Sequence, residues 1–153
     1  MKSKINVDTS DFAVGSAPQV LTTAGIGSCV AVCLYQKERH IGALLHIMLP
    51  RAEGDHLNPR RFADTAINLA ILELGKHSVG PDELTAKLVG GAQMFKAFAS
   101  AGNIGMRNVE EIRRILQTIG IPIEAEDIGG NTGRNLEFDL DSGLVTIIGR
   151  VTT

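Results

Sequence analysis

At 153 residues the chain is long enough to bury a core of its own and short for two, so one domain over residues 1–153 is the default reading. A net charge of -2 with 21% charged residues offers no basic surface to a polyanion, and 4% aromatics without Trp leave little for bases to stack on, so nucleic acid is not an expected partner. No stretch approaches the roughly 20 uninterrupted apolar residues that span a bilayer, and residues 1–15 lack the apolar run of a signal peptide, which points to a cytoplasmic protein without membrane insertion.

In chain order, the first informative stretch is Thr23-Ala-Gly-Ile-Gly-Ser-Cys29, in which two glycines and a serine lead into a cysteine where a strand begins. Residues 29–35 (CVAVCLY) and 41–49 (IGALLHIML) are apolar runs separated by the polar residues 36–40, the pattern of a hairpin. Cys29, Ala31, Cys33 and Tyr35 alternate with Val30, Val32 and Leu34, so both faces are apolar and the hairpin is expected to be buried on both sides. If paired residue numbers sum to an odd value near 75, Cys29 and His46 stand nearly opposite on one face, with Cβ atoms roughly 5 Å apart; the turn permits that register without forcing it.

Asn58-Pro59 opens a helix predicted over 59–76, carrying Phe62, Ala66, Ile67, Ala70, Ile71 and Leu74 at helical spacing. Residues 85–89 read as a short strand ending at Gly90-Gly91, and residues 92–101 as a short helix. Asn108 and Glu111 have capping-box spacing ahead of Val109, Ile112, Ile115, Leu116 and Ile119, with Gly120 closing that helix. Residues 121–126 read as a strand, 129–131 as a loop, and 136–140 with 144–151 as a hairpin turning at Asp141-Ser142-Gly143. Such an order implies an α+β fold with mixed, largely antiparallel sheets rather than a doubly wound parallel one.

The candidate chemistry sits at the glycine loop. Backbone N–H groups near Gly27, Ser28 and Cys29 are positioned to stabilise an oxyanion if the Cys29 sulfur attacks a carbonyl, and His46 on the second hairpin arm is the candidate base. Spacing alone favours Cys29 as a small buried hydrophobe and leaves His46 open between a satisfied core histidine and a base; the cysteine across the hairpin and the glycine approach are what point to chemistry. Cys33, mid-strand and without a glycine approach, reads as structural. A catalytic imidazole needs its second nitrogen held, and Asp and Glu are absent from 12 to 37, so Thr23 beside the glycine loop is the candidate orienter. Cys29, Cys33, His40, His46 and His56 match no zinc spacing, and neither glycine pair continues into a Walker or dinucleotide motif, so no metal or cofactor is expected.

Six collinear blocks resemble the CheD family of chemotaxis proteins. They are Gly25-Ile-Gly-Ser-Cys29-Val-Ala-Val-Cys, Gly42-Ala-Leu-Leu-His46-Ile-Met-Leu-Pro50, Ala63-Asp-Thr-Ala66, Gly90-Gly-Ala-Gln-Met-Phe95, Asn103-Ile-Gly-Met-Arg-Asn108 and Glu126-Asp-Ile-Gly-Gly-Asn131. The segment up to about Ala17 carries no matching motif. The resemblance implies a β-sandwich of mixed sheets flanked by helices, as in glutamine-deamidating toxins. It also implies deamidation of glutamine side chains on the cytoplasmic helices of methyl-accepting chemotaxis receptors, through a Cys thioester with release of ammonia. The family's Cys, His and Thr fall on Cys29, His46 and Thr23. A CheC-type phosphatase is an implied partner, and a regulatory binding module for it is the alternative function.

Overall fold

The computed structural model describes residues 2–54, 57–93 and 103–152. Among the described residues nine strands run in chain order as β1 (Lys4–Asn6), β2 (Asp11–Ser16), β3 (Val20–Ile26), β4 (Val30–Gln36), β5 (Ile41–Ile47), β6 (Thr85–Gly90), β7 (Ile123–Ile128), β8 (Thr132–Asp139) and β9 (Val145–Thr152). They form a four-stranded sheet, β1-β3-β8-β9, and a five-stranded sheet, β2-β5-β4-β6-β7. The β1/β3 and β6/β7 pairs are parallel and the others antiparallel, so the arrangement is mixed and largely antiparallel as expected.

The two-sided apolar hairpin explains the layering. Val30, Val32, Leu34, Ala43, Leu45 and Ile47 pack beneath helices α1 (Ala63–Gly75) and α2 (Ile104–Ile119). From the other face, Ala31, Cys33 and Leu44 meet Leu21, Leu136 and Phe138 of the four-stranded sheet. The five-stranded sheet is therefore the middle layer, and β4–β5 lies at its centre.

Three expectations are corrected. The β4/β5 register sums to 77, odd as expected but two above 75, with Gln36 opposite Ile41 and Ala31, not Cys29, opposite His46. The reason is a four-residue turn in which the Gln36 Oε1 accepts from the Arg39 N–H at 2.7 Å and His40 adopts a positive φ of 54°. The 59–76 helix is interrupted: Pro59–Arg61 is a single 3₁₀ turn, and extended Phe62 bridges to Leu49 before α1 begins. Asn108 caps nothing, because α2 starts earlier on Asn103, whose side chain accepts from the Met106 N–H at 3.1 Å. Gly120 does close α2, its N–H reaching the Leu116 carbonyl. The short helix expected over 92–101 falls largely outside the described residues.

Candidate active site

Thr23 lies on β3 in the four-stranded sheet and His46 on β5 in the five-stranded one. Both are buried, and they meet across the sandwich with Thr23 Oγ1 2.7 Å from His46 Nδ1. The direction of this bond follows from a second one. Thr23 Oγ1 donates its single hydrogen to the Val7 carbonyl at 2.6 Å, so toward the imidazole it acts as acceptor and Nδ1 carries the proton. The lone pair then resides on Nε2, which is buried and has no hydrogen-bond partner among the described residues.

Cys29 lies on the crossover that carries the chain from β3 in one sheet to β4 in the other. Its half-buried side chain packs on the inter-sheet cluster, two residues before Ala31, the ladder partner of His46. Parity is preserved by the two-residue register difference, so Cys29 and His46 share a face and stand diagonally rather than directly opposite. The thiol is not hydrogen-bonded to Nε2 in this resting geometry.

The crossover is fixed through its carbonyls. Gly27 O accepts from the Ala92 N–H at 2.9 Å, Ser28 O from Asn108 Nδ2 at 3.0 Å, and Cys29 O from the Gly91 N–H at 2.8 Å. These bonds engage the carbonyls of Gly27, Ser28 and Cys29 rather than their N–H groups. Two glycines make the contact possible. At Gly90, with φ +121°, a Cβ would lie 2.4 Å from the Cys29 carbonyl oxygen, and at Gly91, with φ +70°, it would lie 2.5 Å from a Val109 methyl. The Gly90-Gly91 pair is thus close packing against the Cys29 loop, as its lack of a phosphate-binding continuation suggested.

Charge at the site is suppressed by burial. Desolvation lowers the His46 pKa to about 4, with the Asp8 carboxylate pulling the other way. Desolvation also pushes the Cys29 thiol above its usual value, opposed by a hydrogen bond from its own amide. The resting pair is therefore neutral thiol and neutral imidazole. Cys33 is 1% exposed and burial raises its pKa to about 12, Lys87 opposing, which suits an inert core thiol.

Asn108 and Val7 were not legible as parts of the site. Val7 lies in the segment without a motif, and it acts through its carbonyl, which no side-chain pattern reveals. Asn108 did leave a signal: it falls on the same helical stripe as Ile112, Ile115 and Leu116, so it is a polar residue on the buried face of an amphipathic helix. A cleft of about 650 Å³ opens beside this helix, lined by Leu49, Pro50, Arg51, Ile104, Arg107 and Glu111 among others.

The family model described as CheD chemotactic sensory transduction matches residues 48–148. The chain is also 46% identical over 149 residues to the probable chemoreceptor glutamine deamidase CheD of Desulforamulus reducens, covering 95% of this chain and 90% of that one. The chain belongs to the CheD family. The chemoreceptor glutamine deamidase CheD of Thermotoga maritima is 40% identical over 147 residues, covering 96% of this chain and 91% of that one. Among solved structures, Neisseria meningitidis protein NMB0706 superposes with a TM-score of 0.50 at 12% identity, over 85% of this CheD-family chain and 63% of that one. Bacillus licheniformis YfiH gives the same TM-score at 14% identity, over 77% and 49%. These two likenesses concern the fold. The family-model match begins after His46 and so does not span Thr23, Cys29 and His46.

Proposed function

We propose that this chain is a chemoreceptor glutamine deamidase in which Cys29 is the nucleophile, His46 the general base and acid, and Thr23 the residue that holds the imidazole. The observation that carries the reading is the Val7–Thr23–His46 chain of hydrogen bonds, which leaves a buried, unpartnered Nε2 lone pair on the face occupied by the Cys29 thiol. The names of the relatives supply the substrate class.

In this mechanism Nε2 takes the thiol proton as sulfur attacks the glutamine side-chain carbonyl carbon, so no thiolate has to persist in a desolvated site. The S–C bond forms, the carbonyl electrons move to oxygen, and N–H groups of the Gly27–Ser28–Cys29 loop receive that charge. As the tetrahedral species collapses, the C–N bond breaks and the nitrogen takes the proton from Nε2, leaving as ammonia. Water then attacks the thioester with Nε2 accepting its proton. Sulfur departs, is reprotonated by the imidazolium, and a glutamate side chain remains.

The test is mass spectrometry of a chemoreceptor cytoplasmic fragment incubated with the wild-type protein, where each converted glutamine gains about 1 Da. Cys29→Ala and His46→Ala proteins are expected to leave the fragment unchanged. Conversion by either variant at the wild-type rate refutes the assignment.

A further inference from the structure

Among the described residues, the Asn108 side chain hydrogen-bonds to the backbone on both sides of the candidate site. It is fully buried on the second turn of α2, and its Nδ2 donates to Ser28 O and to Met48 O, each at 3.0 Å. Ser28 immediately precedes the nucleophile, and Met48 follows the His46 strand by one residue. Both acceptors are carbonyls, which assigns the amide orientation: the nitrogen faces them and Oδ1 turns away, buried and without a partner among the described residues. A helix residue that leaves a buried acceptor unpaired in order to use both amide hydrogens on two separate loops is not placed for helix stability alone, since an unpaired buried polar atom is itself costly. The helix is brought this close by Gly105, where a Cβ would lie 2.5 Å from the Gly91 and Ala92 carbonyl oxygens.

We propose that Asn108 is a positioning residue that sets the distance between the Cys29 thiol and His46 by clamping the Ser28 and Met48 carbonyls to one amide nitrogen. The inference rests on the reading of Cys29 and His46 as the reacting pair. Because the register places that pair diagonally, ladder hydrogen bonds do not fix their separation, and the loop carrying the thiol is held from outside the sheet. Asn108 supplies a common anchor. Loosening it lets the loop move relative to His46, and a displacement of about 1 Å is enough to cost on the order of 100-fold in rate.

The experiment measures Cys29 alkylation by iodoacetamide at neutral pH, with and without His46→Ala, in wild-type, Asn108→Ala, Asn108→Asp and Leu116→Ala backgrounds. Asn108→Asp keeps the shape and removes both amide donors, whereas Leu116→Ala truncates the buried face of the same helix without touching the loop. In the wild type, His46→Ala is expected to slow alkylation. In both Asn108 backgrounds that dependence is expected to disappear while the circular dichroism spectrum stays native, and in Leu116→Ala it persists despite a lower thermal midpoint. On a receptor fragment, Asn108→Ala is expected to lower kcat by about 10- to 100-fold with KM nearly unchanged. Retention of the full His46 dependence in folded Asn108→Ala or Asn108→Asp overturns the proposal. So does its loss in Leu116→Ala to the same degree, which would make the effect one of stability. Should the wild type show the His46-dependent alkylation but no deamidation, the clamp stands and the substrate assignment falls; absence of any His46 dependence in the wild type removes both.

Discussion

In the proposed mechanism the Thr23 hydroxyl takes the place that a carboxylate holds in many triads, and the difference has consequences for charge. A carboxylate beside Nδ1 would favour imidazolium, whereas a neutral hydroxyl already committed to the Val7 carbonyl only fixes the tautomer, and burial keeps the ring uncharged down to about pH 4. The first prediction is that Thr23→Val, which keeps the shape and removes the hydroxyl, lowers kcat on the order of 100-fold, the lower end of what a positioned base contributes. Steady-state kinetics on a receptor fragment check it; a change under threefold would show that the ring is held otherwise. The second concerns pH. Since Nε2 must be unprotonated, kcat/KM is expected to stay level from about pH 8 to pH 5.5 and to fall only as the pH approaches 4, with an acid limb that follows the lowered His46 value. An acid limb centred near 6.5 would mean that the site is more solvated than its burial indicates. The third separates the two thiols: in the folded protein a maleimide is expected to add once, at Cys29, with Cys33 reacting only after denaturation, as read from the intact mass.

At the scale of elements, the strand-to-strand crossover that carries Cys29 depends on β6 more than on its own sequence. Gly90 meets the Cys29 carbonyl so closely that any side chain there displaces the loop, and its positive φ adds strain for an L residue. Gly90→Ala is accordingly expected to reduce deamidation by more than about 100-fold and to cost about 1–3 kcal/mol in urea unfolding, with Gly120→Ala as a control that also has a positive φ but an open surrounding. Equal losses in the two variants would assign the effect to backbone strain rather than to the loop. The β4–β5 hairpin was legible because its apolar runs serve two layers at once, and periodicity reports burial on both faces directly. The turn length was not, since the four-residue turn rests on Gln36 and His40, whose local hydrogen bond and left-handed backbone leave no mark in the apolar pattern. Strands β1, β2 and β3 went unseen for a related reason. Their buried positions are interrupted by exposed Lys4, Asn6, Ser16, Ala24 and Gly25, and they gain apolar contacts from distant elements, β5 and β8 among them, only after folding. The start of α2 was displaced because Asn103 and Asn108 are both helix-start residue types, and only tertiary contacts reveal that one caps the helix and the other reaches into the site.

For the molecule as a whole, a buried neutral histidine makes folding stability depend on pH in a window of its own. The unfolded chain binds a proton at His46 with a pKa near 6.5, the folded chain only near 4, so protons favour the unfolded state as the pH drops from 6.5 toward 4. The gap, at 1.36 kcal/mol per pH unit, amounts to roughly 3 kcal/mol when fully expressed and about 2 kcal/mol by pH 5. Carboxylates act lower. Glu111, held by Arg114 and Arg51 in a link that joins α2 to the segment after β5, has its pKa lowered from 4.5 to about 2, so its contribution is present above 4.5 and is lost as the pH falls through that range. The two windows are separable by urea unfolding at pH 7.5, 5 and 3. Wild-type protein is expected to lose about 2 kcal/mol between pH 7.5 and 5, and His46→Gln, which cannot be protonated, is expected to lose almost none over that interval while both decline below pH 4.5. Parallel curves for the two proteins between pH 7.5 and 5 would place the His46 proton equilibrium outside the folded core and would remove the reason for a neutral resting pair. If the curves diverge as expected, the same desolvation that keeps Nε2 ready to accept the thiol proton also sets the acid limit of the fold.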